Sequence, residues 1–330
     1  MLMYGSTTFF SHLSKTERND TGVWVGDYVL DGLYSYTGGM ATTGSLTRWL
    51  RDNTAKELLE REAQGRLNAY DALFSEAEGI PPGSDGLVVL PYFQGERMPV
   101  LDPRARGAYF GLNLRHTRGH LVHAAFEGVG YGVAQNFELL RSAGMPVDTV
   151  TAVGGGTKTP QWLQVVSDIC NVRQQVPEVT VGASYGDALL AALGVGLIPS
   201  PSRIREMVRI RYVVEPDPGR HAAYEPYKKV YRELYQRNKD LMHLLGEVSG
   251  WLCLIPALSG HEQKLAAYLK KRFEACGLRV REDALGNCIA LAPGAGAAQP
   301  TVMVFGHMDQ LGFVVRYIEE DGFLRLERVG

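Results

Sequence analysis

Cysteine is scarce in this chain. The four present, Cys170, Cys253, Cys276 and Cys288, show no CxxC spacing and lie inside apolar segments. That excludes a disulfide framework and a zinc ribbon, and predicts reduced, buried thiols in a cytoplasmic protein. An excess of charge is also missing: 34 Lys+Arg against 36 Asp+Glu leaves a net charge of −2, no footprint for nucleic acid or an anionic membrane. Apolar runs such as Ala188–Ile198 fall far short of the roughly 20 residues that span a bilayer. The opening Met1-Leu2-Met3-Tyr4-Gly5 has neither a basic stretch nor a long apolar core, so no signal peptide is expected. No internal repeat is visible. The Walker pattern and a complete G-x-G-x-x-G are absent, which removes the usual P-loop and dinucleotide readings.

What is there is ordinary globular composition, 45% hydrophobic and 21% charged over 330 residues. Single cores rarely grow beyond about 250–300 residues, so the length favours two domains. The joint falls at Gly246–Gly250, giving expected domains of 1–246 and 247–330. Met1–Tyr4 and Phe9–Leu13 read as strands around Gly5-Ser6-Thr7-Thr8, with further strands at Val23–Val29 and Leu33–Tyr36. Helical periodicity runs from Ser45 to Glu78 and again over Thr117–Ser142. A β-α-β-α series follows, Thr149–Val153, Pro160–Cys170, Val172–Val176 and Tyr185–Val195, then an amphipathic helix over Tyr224–Leu245. Beyond the joint, Glu262–Cys276 reads as a helix, and strands are expected at Arg279–Asp283, Asn287–Leu291 and Thr301–Phe305. Phe313–Ile318 and Phe323–Leu326 form a hairpin about Asp321-Gly322.

Two glycine turns carry the first chemistry. Gly5-Ser6-Thr7-Thr8 lies between strands, where backbone N–H groups and hydroxyls can converge on an anion approached closely only past glycine. Gly154-Gly155-Gly156-Thr157-Lys158 ends a strand and opens a helix, whose amide end favours negative charge. Taken alone, either turn is explained as well by packing.

The motifs around them give the turns a context. Gly107-Ala108-Tyr109-Phe110-Gly111-Leu112, followed by His120-Leu121 and Ala124-Ala125-Phe126-Glu127, resembles a signature of the FGGY carbohydrate kinases. Pro91-Tyr92-Phe93-Gln94-Gly95-Glu96-Arg97-Met98-Pro99 is similar to that family's preceding loop, Gly154–Gln164 to its adenosine-binding turn, and Gly182–Ala191 to the next helix. The likeness runs in order over about residues 1–245, nearest to the xylulose kinase branch. It implies an α/β fold, an actin-like, ribonuclease-H-like ATPase lobe with a mixed sheet and helices on both faces. It also implies ATP with Mg²⁺ as cofactor and a sugar hydroxyl as acceptor, phosphoryl transfer resting on positioning and charge.

By that resemblance Gly5, Ser6 and Thr7 touch phosphates and Gly44 lines the nucleotide cleft. Gly155 and Gly156 lie against adenosine, with Thr159 or Gln161 nearby. The family's catalytic aspartate belongs upstream of Met1, so no catalytic residue is assigned, and Asp20, Asp27 and Asp31 read as turn residues. Glu96 and Arg97 read equally as substrate-facing or as a structural pair between lobes. His116, His120 and His123 suggest a metal by number, but their spacing at a helix entrance without carboxylate partners favours packing and capping.

A lone His307-Met308-Asp309 ends the strand Thr301–Phe305. Residues i and i+2 of a strand face one way, so one can bind zinc while the other steers it. Ile255–Glu262, Leu285-Gly286-Asn287, Gly306–Phe313 and Ile318–Leu326 resemble the opening of dinuclear-metal glutamyl or deblocking aminopeptidases. That resemblance makes His307 a zinc or cobalt ligand and Asp309 its steering carboxylate, in an incomplete site, since such sites need three or four ligands.

Three readings stand: the nucleotide-side lobe of a sugar kinase, a metallo-aminopeptidase fragment, or an inactive fusion of two partial enzymes. A lobe without its partner is expected to leave Leu2, Tyr4 and Phe9 near solvent and to oligomerise or aggregate through that face.

Overall fold

The computed structural model describes residues 1–19, 21–248, 263–275, 277–282, 288–291, 312–318 and 324–329. The chain divides into two compact units, Met1–Leu244 and Leu245–Gly330.

In the first unit, β1 (Leu2–Tyr4) and β2 (Thr8–Ser14) form a hairpin, and β3 (Trp24–Asp27) and β4 (Tyr34–Met40) extend it. Three helices follow, α1 (Gly44–Thr54), α2 (Lys56–Ala63) and α3 (Ala69–Ser75), then a small two-stranded ribbon, β5 (Val88–Leu90) with β6 (Ala108–Phe110). The helix α4 (Arg118–Ser142) leads to β7 (Thr149–Val153), α5 (Pro160–Cys170), β8 (Arg173–Pro177) and α6 (Ala183–Gly194). The unit closes with α7 (Pro201–Met207), β9 (Ile210–Val214) and α8 (Pro218–Val248).

Seven strands make one sheet in the order β3-β4-β2-β1-β7-β8-β9. β1 pairs antiparallel with β2 and parallel with β7, and β7 pairs parallel with β8. An antiparallel hairpin whose first strand continues into parallel crossovers is the actin-like, ribonuclease-H-like arrangement.

The core forms around α4, which is apolar on nearly every side and correspondingly buried from Val122 to Val133. Its first turn is capped by His120, whose Nδ1 accepts from the Thr117 amide at 3.1 Å while Nε2 reaches Asp85 at 3.2 Å. Arg118, paired with Glu57 and Glu76, ties the helix to α2 and α3.

Two expectations are corrected here. Leu2 and Tyr4 are not near solvent but fully buried, because β1 lies inside the sheet and the Tyr4 ring packs edge-on to Trp162 at 5.7 Å; Phe9 is half-buried. The helix read over Ser45–Glu78 is three helices, broken at Ala55 and at the left-handed Gly65. The large apolar side chains exposed in this unit include Leu114, Val181, Val195 and Leu197 instead.

In the second unit α9 (Gln263–Ala275) precedes β10 (Arg279–Glu282), which pairs antiparallel with β11 (Cys288–Leu291). β12 (Gly312–Ile318) pairs antiparallel with β13 (Leu324–Val329). The strand Thr301–Phe305, the turn Asp321-Gly322, Cys253, Cys276, His307 and Asp309 lie outside the described residues, as does Asp20. Among the described residues no helix is long and apolar enough to cross a membrane, and no group of three His, Cys, Asp or Glu side chains is placed to hold a metal.

Candidate nucleotide site

The β1–β2 turn is folded against the start of α1. The amide of Gly44 donates to the Gly5 carbonyl at 3.0 Å, and the amides of Thr43 and Ser45 donate to the Ser6 carbonyl at 3.0 and 3.1 Å. The amide end of α1 is therefore spent on the turn and is not open to a ligand. Gly5 N–H is spent as well, on the Thr7 carbonyl at 3.0 Å. This leaves the Ser6 and Thr7 amides as the turn's donors without a backbone partner among the described residues.

Glu96 holds the approach to α1. Its Oε1 accepts from the Ala41 amide at 2.8 Å and the Arg97 amide at 2.7 Å, while Oε2 has no partner among the described residues. Burial pushes this carboxyl up to about 7, against the opposing pull of the two amides. These contacts fit neither reading of Glu96 from the sequence and make it a brace on the backbone between β4 and α1.

On the other side, β7 ends in Gly154, whose left-handed backbone (φ 94°) sends the chain into a short 3₁₀ turn, Gly155–Lys158. Thr157 Oγ donates to the Gly154 carbonyl at 2.7 Å and fixes that turn, and Thr159 precedes Pro160, the first residue of α5.

These two walls enclose a cleft of about 390 Å³. Gly5, Ser6, Gly44, Gly155, Gly156 and Thr159, six of the eight residues named from the sequence, line it together. Thr7 does not. Gln161 lies on a different cleft, because two positions along a helix turn a side chain by roughly 200° from Thr159. The sequence reading missed Arg48, Lys158, Tyr70, Phe74 and Trp162, which also line the cleft. Only the 3.6-residue spacing of Tyr70 and Phe74 hinted at a shared face, and that spacing fits a buried stripe equally well.

Chemically the cleft offers two cations, Arg48 and Lys158, facing one carboxylate, Asp71, with aromatic surface from Tyr70, Phe74 and Trp162. A nucleotide fits this set. Its phosphates meet cations and glycine backbone, its base meets rings, and a Cβ added at Gly155 would meet nothing within 4 Å, so the glycine leaves space open there. A magnesium ion finds a single carboxylate among the described lining residues, so the phosphates themselves would carry it.

Residues 1–195 match the FGGY family of carbohydrate kinases, C-terminal domain. Residues 286–330 match the M42 glutamyl aminopeptidase family, a short stretch that includes the undescribed His307 and Asp309. The chain is 33% identical over 220 residues to a gluconokinase of Bacillus subtilis, covering 66% of this chain and 42% of that protein. It is 29% identical over 223 residues to a xylulose kinase of Staphylococcus epidermidis, covering 67% and 43%. The crystal structure of xylulose kinase from Rhodospirillum rubrum superimposes with a TM-score of 0.65 at 31% identity, over 73% of this chain and 47% of that one. The chain thus spans less than half the length of these relatives.

Proposed function

The chain belongs to the FGGY family of carbohydrate kinases, and from that premise we propose that Met1–Leu244 is the nucleotide-side lobe of an ATP-dependent sugar kinase. Gly5, Ser6, Gly44, Gly155, Gly156 and Thr159 form the ATP site in this reading, and Thr7 and Gln161, which do not line the cleft, drop out of it. The observation that carries the reading is that six separately chosen residues from three distant segments line one cleft, with open space at Gly155.

In this proposal the Ser6 amide, with Arg48 and Lys158, binds phosphate oxygens, and Tyr70, Phe74 and Trp162 screen the base from water. Mg²⁺ supplies charge neutralisation of the phosphates when bound. The lobe positions the nucleotide, and no group here is assigned to take the proton of the sugar hydroxyl. The acceptor is a pentulose or a sugar acid, since relatives named for both are similar to this chain. The cytoplasm, where ATP is supplied, is the compartment this reading implies. The match of residues 286–330 to the M42 family is short, and no peptidase activity is proposed for residues 247–330.

Titration of the chain with MgADP by calorimetry tests the site. Saturable binding that Gly155→Val weakens at least about tenfold supports it. An absence of saturable binding at millimolar nucleotide, or a Gly155→Val chain that binds as well, overturns it.

A further inference from the structure

A second cleft, of about 510 Å³, lies between the Glu78–Pro82 loop, α4, α5 and the start of α8. It shares no lining residue with the nucleotide cleft. Its volume falls in the range of small-ligand sites.

The polar groups on its wall are held in place from behind. His123, 5% exposed, sets Nδ1 3.0 Å from Ser84 Oγ and 3.2 Å from Glu127 Oε1. Ser84 has one hydroxyl proton and donates it to Glu127 Oε2 at 2.8 Å. The proton between His123 and Ser84 therefore sits on Nδ1 of the imidazole. His123 lines the cleft, and its Nε2 has no hydrogen-bond partner among the described residues.

Arg220 supplies a fixed charge. Its guanidinium stands 3.7 Å from Asp168, too far for a hydrogen bond, and its side chain is 57% exposed. Gln164 contributes the opposite polarity. Its amide nitrogen is committed to Asp168 at 2.7 Å and the Glu215 carbonyl at 2.9 Å, which turns its oxygen into an acceptor. Gln161 completes the wall with a side-chain amide that makes no hydrogen bond among the described residues. Donors for an anion beside an acceptor for a hydroxyl define a mixed ligand.

We propose that this cleft binds a small hydroxylated organic anion, a phosphate ester or carboxylate of a polyol, its anionic group held by Arg220 and its hydroxyls on His123, Gln161 and Gln164. The site is separate from the nucleotide cleft and does not depend on what that cleft binds.

The test uses the full chain in 0.15 M salt, titrated calorimetrically with 6-phosphogluconate, gluconate and inorganic phosphate. Saturable binding of 6-phosphogluconate at about 1 mM or tighter is expected. Arg220→Ala, at an exposed position, should weaken it at least about tenfold, and Gln161→Ala should weaken it less. Whichever of gluconate and phosphate retains weak binding identifies the anionic group that is held. Gly155→Val should leave the affinity within about twofold, because it alters only the other cleft. An absence of saturable binding at about 10 mM, indifference to Arg220→Ala, or loss of binding in Gly155→Val each overturns the proposal.

Discussion

Gly44 stands so close to the Gly5 carbonyl that a Cβ at position 44 would come within 2.5 Å of its oxygen. The obstacle is backbone, which cannot swing aside as a side chain can. Alanine at a helix start is otherwise favoured over glycine by up to about 1 kcal/mol, so the contact and the propensity oppose each other here. The contact prevails: Gly44→Ala should cost about 1–3 kcal/mol in urea unfolding. Gly155→Ala, which enters open space, should stay within about 0.5 kcal/mol of the parent while weakening MgADP.

Glu96 makes stability depend on pH in an unusual direction. Burial raises its carboxyl to about 7 in the folded chain, whereas the unfolded chain titrates at about 4.3. Between those values the folded state holds a proton that the unfolded state has released, so stability falls as pH rises from about 4.5 to about 7. Glu96→Gln keeps an oxygen for the Ala41 and Arg97 amides and carries no charge. It should flatten that slope and stabilise the chain by about 1–3 kcal/mol at pH 8 in chemical unfolding. An unchanged slope would remove Glu96 as its source.

Asp102 shows the opposite sign. Burial alone would raise its carboxyl. Hydrogen bonds from His243 Nε2 at 2.7 Å, the Arg104 amide at 2.9 Å and Tyr235 OH at 3.0 Å outweigh burial and hold it below the usual value. The contribution is present above the unfolded value near 3.9 and is lost as pH falls through the folded one. His243 Nδ1 accepts from Arg104 at 2.9 Å, so Nε2 is the ring nitrogen that donates to Asp102. His243→Ala should cost about 1–2 kcal/mol at pH 7 and less below pH 3, read from unfolding midpoints.

Asp85 adopts a left-handed backbone (φ 54°) beside an equally left-handed Ser84 (φ 46°). Such a conformation costs a non-glycine residue about 1 kcal/mol. Asp85→Gly should therefore hold stability level or raise it by up to about 1 kcal/mol, despite losing the exposed contact to His120. A loss beyond about 1 kcal/mol in thermal unfolding would show that the His120 contact matters more than the strain.

Glycine and periodicity made the two cleft turns, α4, α5 and β7 readable in the sequence, because each is dictated by local backbone needs or by one dominant face. Thr117 before α4 and Pro160 opening α5 marked those helix starts within a residue. The breaks between α1, α2 and α3 were hidden, since Ala55 carries no stop signal and its non-helical φ of −134° follows from tertiary packing. Leu2 and Tyr4 were misplaced because they were put on the face a partner lobe would cover, whereas β1 lies inside the sheet with Tyr4 against Trp162. Arg48 was likewise invisible as a cleft residue, while Lys158 and Trp162 lay inside the segment likened to the adenosine-binding turn without being singled out. Their position depends on which segments the sheet order brings together. The His123–Ser84–Glu127 group joins two segments of unremarkable spacing, and only the fold brings them into hydrogen-bond contact.

The sheet order also bears on how this chain is made. β1 finds one neighbour in residues 8–10 and the other in residues 152–153. During synthesis the first partner emerges almost at once, while the second follows roughly 150 residues later, on the order of ten seconds or more at ribosomal speed. For that interval a short, wholly apolar strand edge stands unpaired on the growing chain. The middle of the sheet thus stays open until β7 arrives, and the nascent protein is most in need of a chaperone before then.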